Sequence, residues 1–111
     1  MLEPTLSVRP IETGYEFVLT IENVGETAEE LSFSSGKRAE FTAQQDGDIV
    51  WQWSEGRMFT MALSTDRIDP GERRSYTGTW EDPTPGEYVI TGRLEATTHD
   101  VEATIELTID E

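Results

Sequence analysis

The chain contains no cysteine. That excludes a disulfide framework and any thiolate metal site. It fits a reducing compartment, or an export route that does not use disulfides. Long apolar runs are also missing: nothing approaches the ~20 residues needed to span a bilayer. Met1-Leu2-Glu3-Pro4 has neither the basic start nor the apolar stretch of a signal peptide. The expected setting is the cytoplasm, with no membrane partner. Bases are scarce as well. Eight Lys and Arg stand against 23 Asp and Glu, a formal net charge of -15, and Lys37 is the single lysine. Such a surface repels a polyanion, so nucleic acid is not an expected partner. Carboxylates in excess with lysine avoided suggest a halophile's surface. The Debye length is about 3 Å at ~1 M salt and about 30 Å at ~0.01 M, so repulsion is screened only in brine. The fold is expected to gain stability with salt; a melting temperature that stays flat from dilute buffer to molar salt would contradict this.

Chemistry-bearing patterns are equally thin. The one histidine, His99, sits in a Thr-Thr-His-Asp turn, whereas a metal site usually draws on two or more. No Gly-x-Ser-x-Gly elbow is present. Carboxylate spacing carries no information where a fifth of the chain is acidic. Asp46-Gly47-Asp48 lacks the run of oxygen ligands of a calcium loop. The expectation is a non-enzyme with no cofactor and no metal.

What is present is alternation. Tyr15, Phe17, Leu19 and Ile21 share one face of a strand, with Glu16, Thr20 and Glu22 on the other. Leu31 and Phe33 mark another strand. Ala39, Phe41 and Ala43 alternate with Glu40, Thr42 and Gln44. Asp46-Gly47 between two strand patterns is a strong hairpin signal. Ile49, Trp51 and Trp53 are expected on one face of the next strand. Pro70-Gly71-Glu72 reads as a turn. Further strands carry Arg74 to Trp80, Tyr88 to Ala96, and Val101 to Ile109. Thr5 to Pro10 is a weak edge strand. Met58 to Leu63 is the one place where a single helical turn fits. Seven to nine strands without a helical period imply an all-β, antiparallel sandwich of two sheets, with closure into a barrel as the structural alternative; a single domain over 1–111 and a monomer are expected.

Function then rests on surfaces. Ser54, Glu55, Gly56, Arg57, Met58 and Phe59 follow the tryptophan strand and pass through a turn composition. An apolar tip with an arginine is a candidate partner-binding patch; plugging one end of the sandwich is the structural reading of the same residues. Ser35, Gly36, Lys37 and Arg38 form a second, weaker candidate, the one Lys-Arg pair in an acidic chain.

Several stretches together resemble the BsuPI-type intracellular proteinase inhibitors. They are Val50-Trp51-x-Trp53-Ser54-x-Gly56-x-Met58-Phe59, Ile68-x-Pro70-Gly71-Glu72, Trp80, and Pro85-Gly86-x-Tyr88-x-Ile90-x-Gly92. Ile21-x-Asn23, Leu31-x-Phe33-Ser34-Ser35-Gly36 and Ala39-x-Phe41 agree in kind. The likeness runs from about Tyr15 to about Ala96; the strong negative charge and Lys37-Arg38-Ala39 depart from the pattern. The resemblance implies an immunoglobulin-like sandwich that inhibits an intracellular subtilisin-like serine protease. On that reading Met58 or Phe59 fills an apolar primary pocket. The competing class is a non-inhibitory module that recognises another protein or adds a strand at a free edge.

Overall fold

The computed structural model describes residues 1–110. Nine strands follow one another: β1 (Leu2–Ile11), β2 (Gly14–Asn23), β3 (Glu29–Phe33), β4 (Ala39–Gln45), β5 (Asp48–Gln52), β6 (Ser64–Ile68), β7 (Arg73–Glu81), β8 (Gly86–Leu94) and β9 (Glu102–Ile109). Every pairing is antiparallel, and no helix occurs among the described residues. The Met58–Leu63 stretch is therefore not a helical turn.

The layers form as the alternation requires. One carries β1-β2-β7, the other β5-β4-β8-β9. Phe17, Leu19 and Ile21 of β2 point inward against Phe41 of β4 and Ile90 and Leu94 of β8, all essentially sealed from water. At about 25 cal/mol per Å² of apolar surface, this core is the main stabilising element of a chain without crosslinks. Gly78 on β7 lets the layers close. A Cβ there would stand 2.6 Å from Phe41 Cδ2 and 3.0 Å from Trp53 Cδ1, so both rings rest on bare backbone.

The two-sheet expectation needs one correction. β3 and β6 form a separate ribbon with no backbone ladder to β7. Side chains and a loop backbone bond fasten it instead. Arg74 Nε donates to Asp66 Oδ2 at 2.9 Å and Arg74 Nη2 to the Arg67 carbonyl at 2.7 Å. Asn23, fully buried, donates through Nδ2 to the carbonyls of Thr27 (2.8 Å) and Ile68 (3.0 Å), while its Oδ1 accepts from Gly25 N at 3.0 Å. The Thr97 amide donates to the Ser32 carbonyl at 2.8 Å, tying β3 to the loop that follows β8.

Turn chemistry follows the sequence. Asp46 (φ 53°) and Gly47 (φ 87°) both adopt the left-handed region, as a two-residue hairpin loop demands. Glu72 N donates to the Asp69 carbonyl at 2.9 Å across Pro70-Gly71. His99 occupies its expected turn but is half-buried; its Nε2 lies 3.2 Å from Glu29 Oε1.

Candidate functional site

The site begins with a fault in strand register. β5 pairs with β4 as Gln45↔Asp48 and Gln44↔Ile49, then shifts to Ala43↔Trp51. One extra residue, Val50, is accommodated as a bulge. Ile49 is thereby turned to the opposite face from Trp51 and is 57% exposed. The expectation that Ile49, Trp51 and Trp53 share one face fails for Ile49. The two tryptophans do face the core. Trp51 stacks on Trp80 with ring centroids 5.0 Å apart and 16° between planes, and Trp53 meets Phe41 edge-on at 6.3 Å. Stacked and edge-on pairs of this kind add about 1 kcal/mol each beyond burial.

Beyond β5 the chain bends twice. Glu55 N donates to the Gln52 carbonyl at 3.2 Å and Arg57 N to the Ser54 carbonyl at 3.0 Å. Gly56 lies third in the second turn with φ 79°, a conformation that favours glycine there. Arg57 folds back over its own strand: Nε donates to the Trp53 carbonyl at 2.9 Å, and the guanidinium sits 4.5 Å from the Trp53 ring centroid. Phe59 packs on Trp53 at 5.7 Å and is half-buried. Of the expected Arg-Met-Phe tip, only Met58 is free, at 97% exposure.

From Arg57 to Leu63 the backbone has no regular structure, and Met61 (85%) and Leu63 (84%) are also bare. One bond holds the middle of the segment: Gly36 N donates to the Thr60 carbonyl at 2.8 Å. Approach is so close that a Cβ on Gly36 would stand 2.7 Å from Thr60 Oγ1. The second candidate loop, through Gly36, therefore meets the residue that follows the first candidate at one end of the ribbon. Sequence reading missed Thr60, Met61 and Leu63; the signal available was a cluster of large apolar residues flanked by no helix cap.

A buried carboxylate underlies both loops. Glu40 is only 6% exposed, although alternation assigns it to the outward face. Its Oε1 accepts from the amides of Phe41 (3.0 Å) and Ser54 (3.1 Å), and its Oε2 from Gln52 Nε2 (3.1 Å). Lys37 Nζ lies 2.6 Å from Glu40 Oε2 and 2.8 Å from Glu95 Oε1. Burial pushes the Glu40 carboxyl up, but hydrogen bonds from Lys37, Ser54 and Gln52 outweigh it and hold the group below the usual carboxylate range. Burial likewise works against the Lys37 ammonium; the hydrogen bonds it donates to Glu40 and Glu95 outweigh it, and its pKa is raised. Arg38 sits 4.3 Å from the Phe33 ring centroid, and Ser35 Oγ accepts from Lys37 N at 3.1 Å. The second candidate's cations are thus engaged within the fold. Among the described residues no group of three or more His, Asp or Glu is arranged to hold a metal.

A family model described as BsuPI, intracellular proteinase inhibitor, matches residues 2–99. The chain belongs to the BsuPI family. It is a proteinase inhibitor by family, and not an enzyme. The match covers β1 to β8 and ends before β9, which pairs with β8 from Arg93↔Glu102 to Gly86↔Ile109. No curated protein matches the chain. Among the described residues no helix is long and apolar enough to cross a membrane.

Proposed function

We propose that this BsuPI protein acts in the cytoplasm on a subtilisin-like serine protease. It binds as a monomer, presenting the end loop Ser54–Phe59 with Met58 inserted into an apolar pocket of the protease cleft. One observation carries the reading: Met58 is 97% exposed immediately after a turn held by Arg57 and Gly56. A large apolar side chain held open to water by an ordered turn is a poor core element and a good anchor. Phe59, the other residue expected to reach a partner, is occupied by Trp53 and serves as the footing of the loop.

The test is inhibition of a subtilisin-type protease, in molar salt, by the parent and by Met58→Asp. The aspartate variant should remain folded by circular dichroism and inhibit at least about tenfold less well, because a carboxylate resists burial in an apolar pocket. Undiminished inhibition by the variant rejects this loop. A parent that leaves turnover of a peptide substrate unchanged rejects the protease target and favours a non-inhibitory module.

A further inference from the structure

Met58 is not alone. Met61 and Leu63 are almost as exposed, and between them and Met58 lie the two residues of the segment that are held down. Phe59 rests on Trp53, and the Thr60 carbonyl accepts from Gly36 N at 2.8 Å. The chain is next fixed at Ser64, which pairs with Phe33 at the start of β6. Three residues, Met61, Ala62 and Leu63, therefore span two fixed points, and all three are exposed. Resting on the inhibitory reading above, we propose that the bond offered to the protease is Met61–Ala62. Met61 enters the primary pocket, and Met58, three residues earlier, enters a second apolar pocket.

Three features favour this bond over Met58–Phe59. Ala62 is small and exposed, so the nucleophile reaches the Met61 carbonyl without moving a ring; after Met58 comes Phe59, whose ring is packed. The acyl side is braced one residue away, at Thr60. The leaving side is fixed two residues away, at Ser64. In the cleft the protease serine Oγ attacks the Met61 carbonyl carbon. Its proton passes through the catalytic histidine to the Ala62 nitrogen as the Met61–Ala62 bond breaks. The product is an ester between protease and Met61, with the Ala62 amine tethered nearby. Attack by that amine restores the peptide and frees the serine; attack by water leaves a Met61 carboxylate and an Ala62 ammonium. Tethering gives the amine a high effective concentration, so religation outruns hydrolysis. A protease with apolar primary and distal pockets is the class this segment fits.

Gly36 is the positioning residue. It does not reach the cleft, yet a side chain there collides with Thr60. Gly36→Val should leave the melting temperature nearly unchanged while raising the rate of clipping about tenfold, turning inhibitor towards substrate.

The experiment incubates the full chain with a stoichiometric subtilisin-type protease and follows inhibition together with intact mass. The expected result is inhibition, slow appearance of a single cut between Met61 and Ala62, and a loss of roughly a hundredfold in affinity for Met61→Asp. A parent that inhibits but is cut elsewhere, or whose Met61→Asp variant inhibits as well as the parent, overturns this assignment and leaves the Met58 loop standing. Failure of the parent to inhibit at all overturns the underlying reading too. Gly36→Val clipped no faster than the parent removes the brace from the proposal.

Discussion

The β3–β6 ribbon has two ends built on opposite principles. At Glu29–Ile68 it is locked: Asn23, sealed from water, reaches the carbonyls of Ile68 and Thr27 and the amide of Gly25 with one side chain. At Phe33–Ser64 it opens into two loops joined by one backbone bond, Gly36 to Thr60, with large apolar side chains in water. The first end gathers three hydrogen bonds on one buried side chain. The second displays Met58, Met61 and Leu63 and keeps only enough contacts to hold them still. Locked and exposed ends are thus separated along about five residues of one ribbon. Substitutions should separate in the same way.

The largest effect belongs to the locked end. Asn23→Ala takes the side-chain partner from the buried Ile68 carbonyl and from the part-buried Thr27 carbonyl and Gly25 amide, and removes one of the links between ribbon and sheet. At about 1–3 kcal/mol for each group left unsatisfied, the expected loss is about 4 kcal/mol by urea denaturation. A loss under about 1 kcal/mol would mean that the ribbon is held mainly by packing, and the contrast between its ends would collapse.

Glu40 comes next, because it supports the open end from beneath. Glu40→Gln removes the charge facing Lys37, and Lys37 keeps Glu95, so a cost of about 3 kcal/mol is expected at neutral pH, at the low end for a broken buried pair. The pH dependence has a definite sign. The folded-state pKa of Glu40 lies below its ordinary value of 4.5. Its contribution is therefore complete above that value and is lost as pH falls through the lowered one. Parent and Glu40→Gln stabilities should converge once the pH has fallen below that lowered pKa. Parallel curves there would show that Glu40 is not the group that titrates.

Much of this contrast was hidden in the sequence, for identifiable reasons. The strands around Phe17, Phe41, Ile90 and Leu107 were legible because one face is buried and the other wet, which writes a period of two into the chain. Asp46-Gly47 and Pro70-Gly71 were legible because few residues tolerate those backbone angles. The β5 bulge was not: Ile49 and Val50 are both apolar, so alternation cannot say which is the extra residue. β6 was invisible because Ser64-Thr65-Asp66-Arg67 are polar and only Ile68 is buried. Glu40 reads as one more surface acid, since its cover comes from Lys37, Gln52 and Ser54 through tertiary contacts. Candidate residues Ser54 to Phe59 were legible as an unusual apolar cluster. Their partition was not, because whether Phe59 or Met58 turns inward depends on where Trp53 lies. The meeting of Gly36 with Thr60 joins residues 24 apart through one backbone bond, and no local pattern records it.

The smallest effect belongs to the display itself. Serine at Met58, Met61 and Leu63 together should change unfolding free energy by less than about 1 kcal/mol, since exposed substitutions usually fall within ±0.5 kcal/mol each. Exposed apolar side chains gain little on folding, because they remain in water in both states. The near-zero result is what gives the contrast its force. A chain with so few apolar residues to spare has left three of the largest outside its core, where they add nothing to its own stability. A triple variant destabilised by several kcal/mol would show instead that these side chains pack against the sandwich in solution, and that this end, like the other, serves the fold.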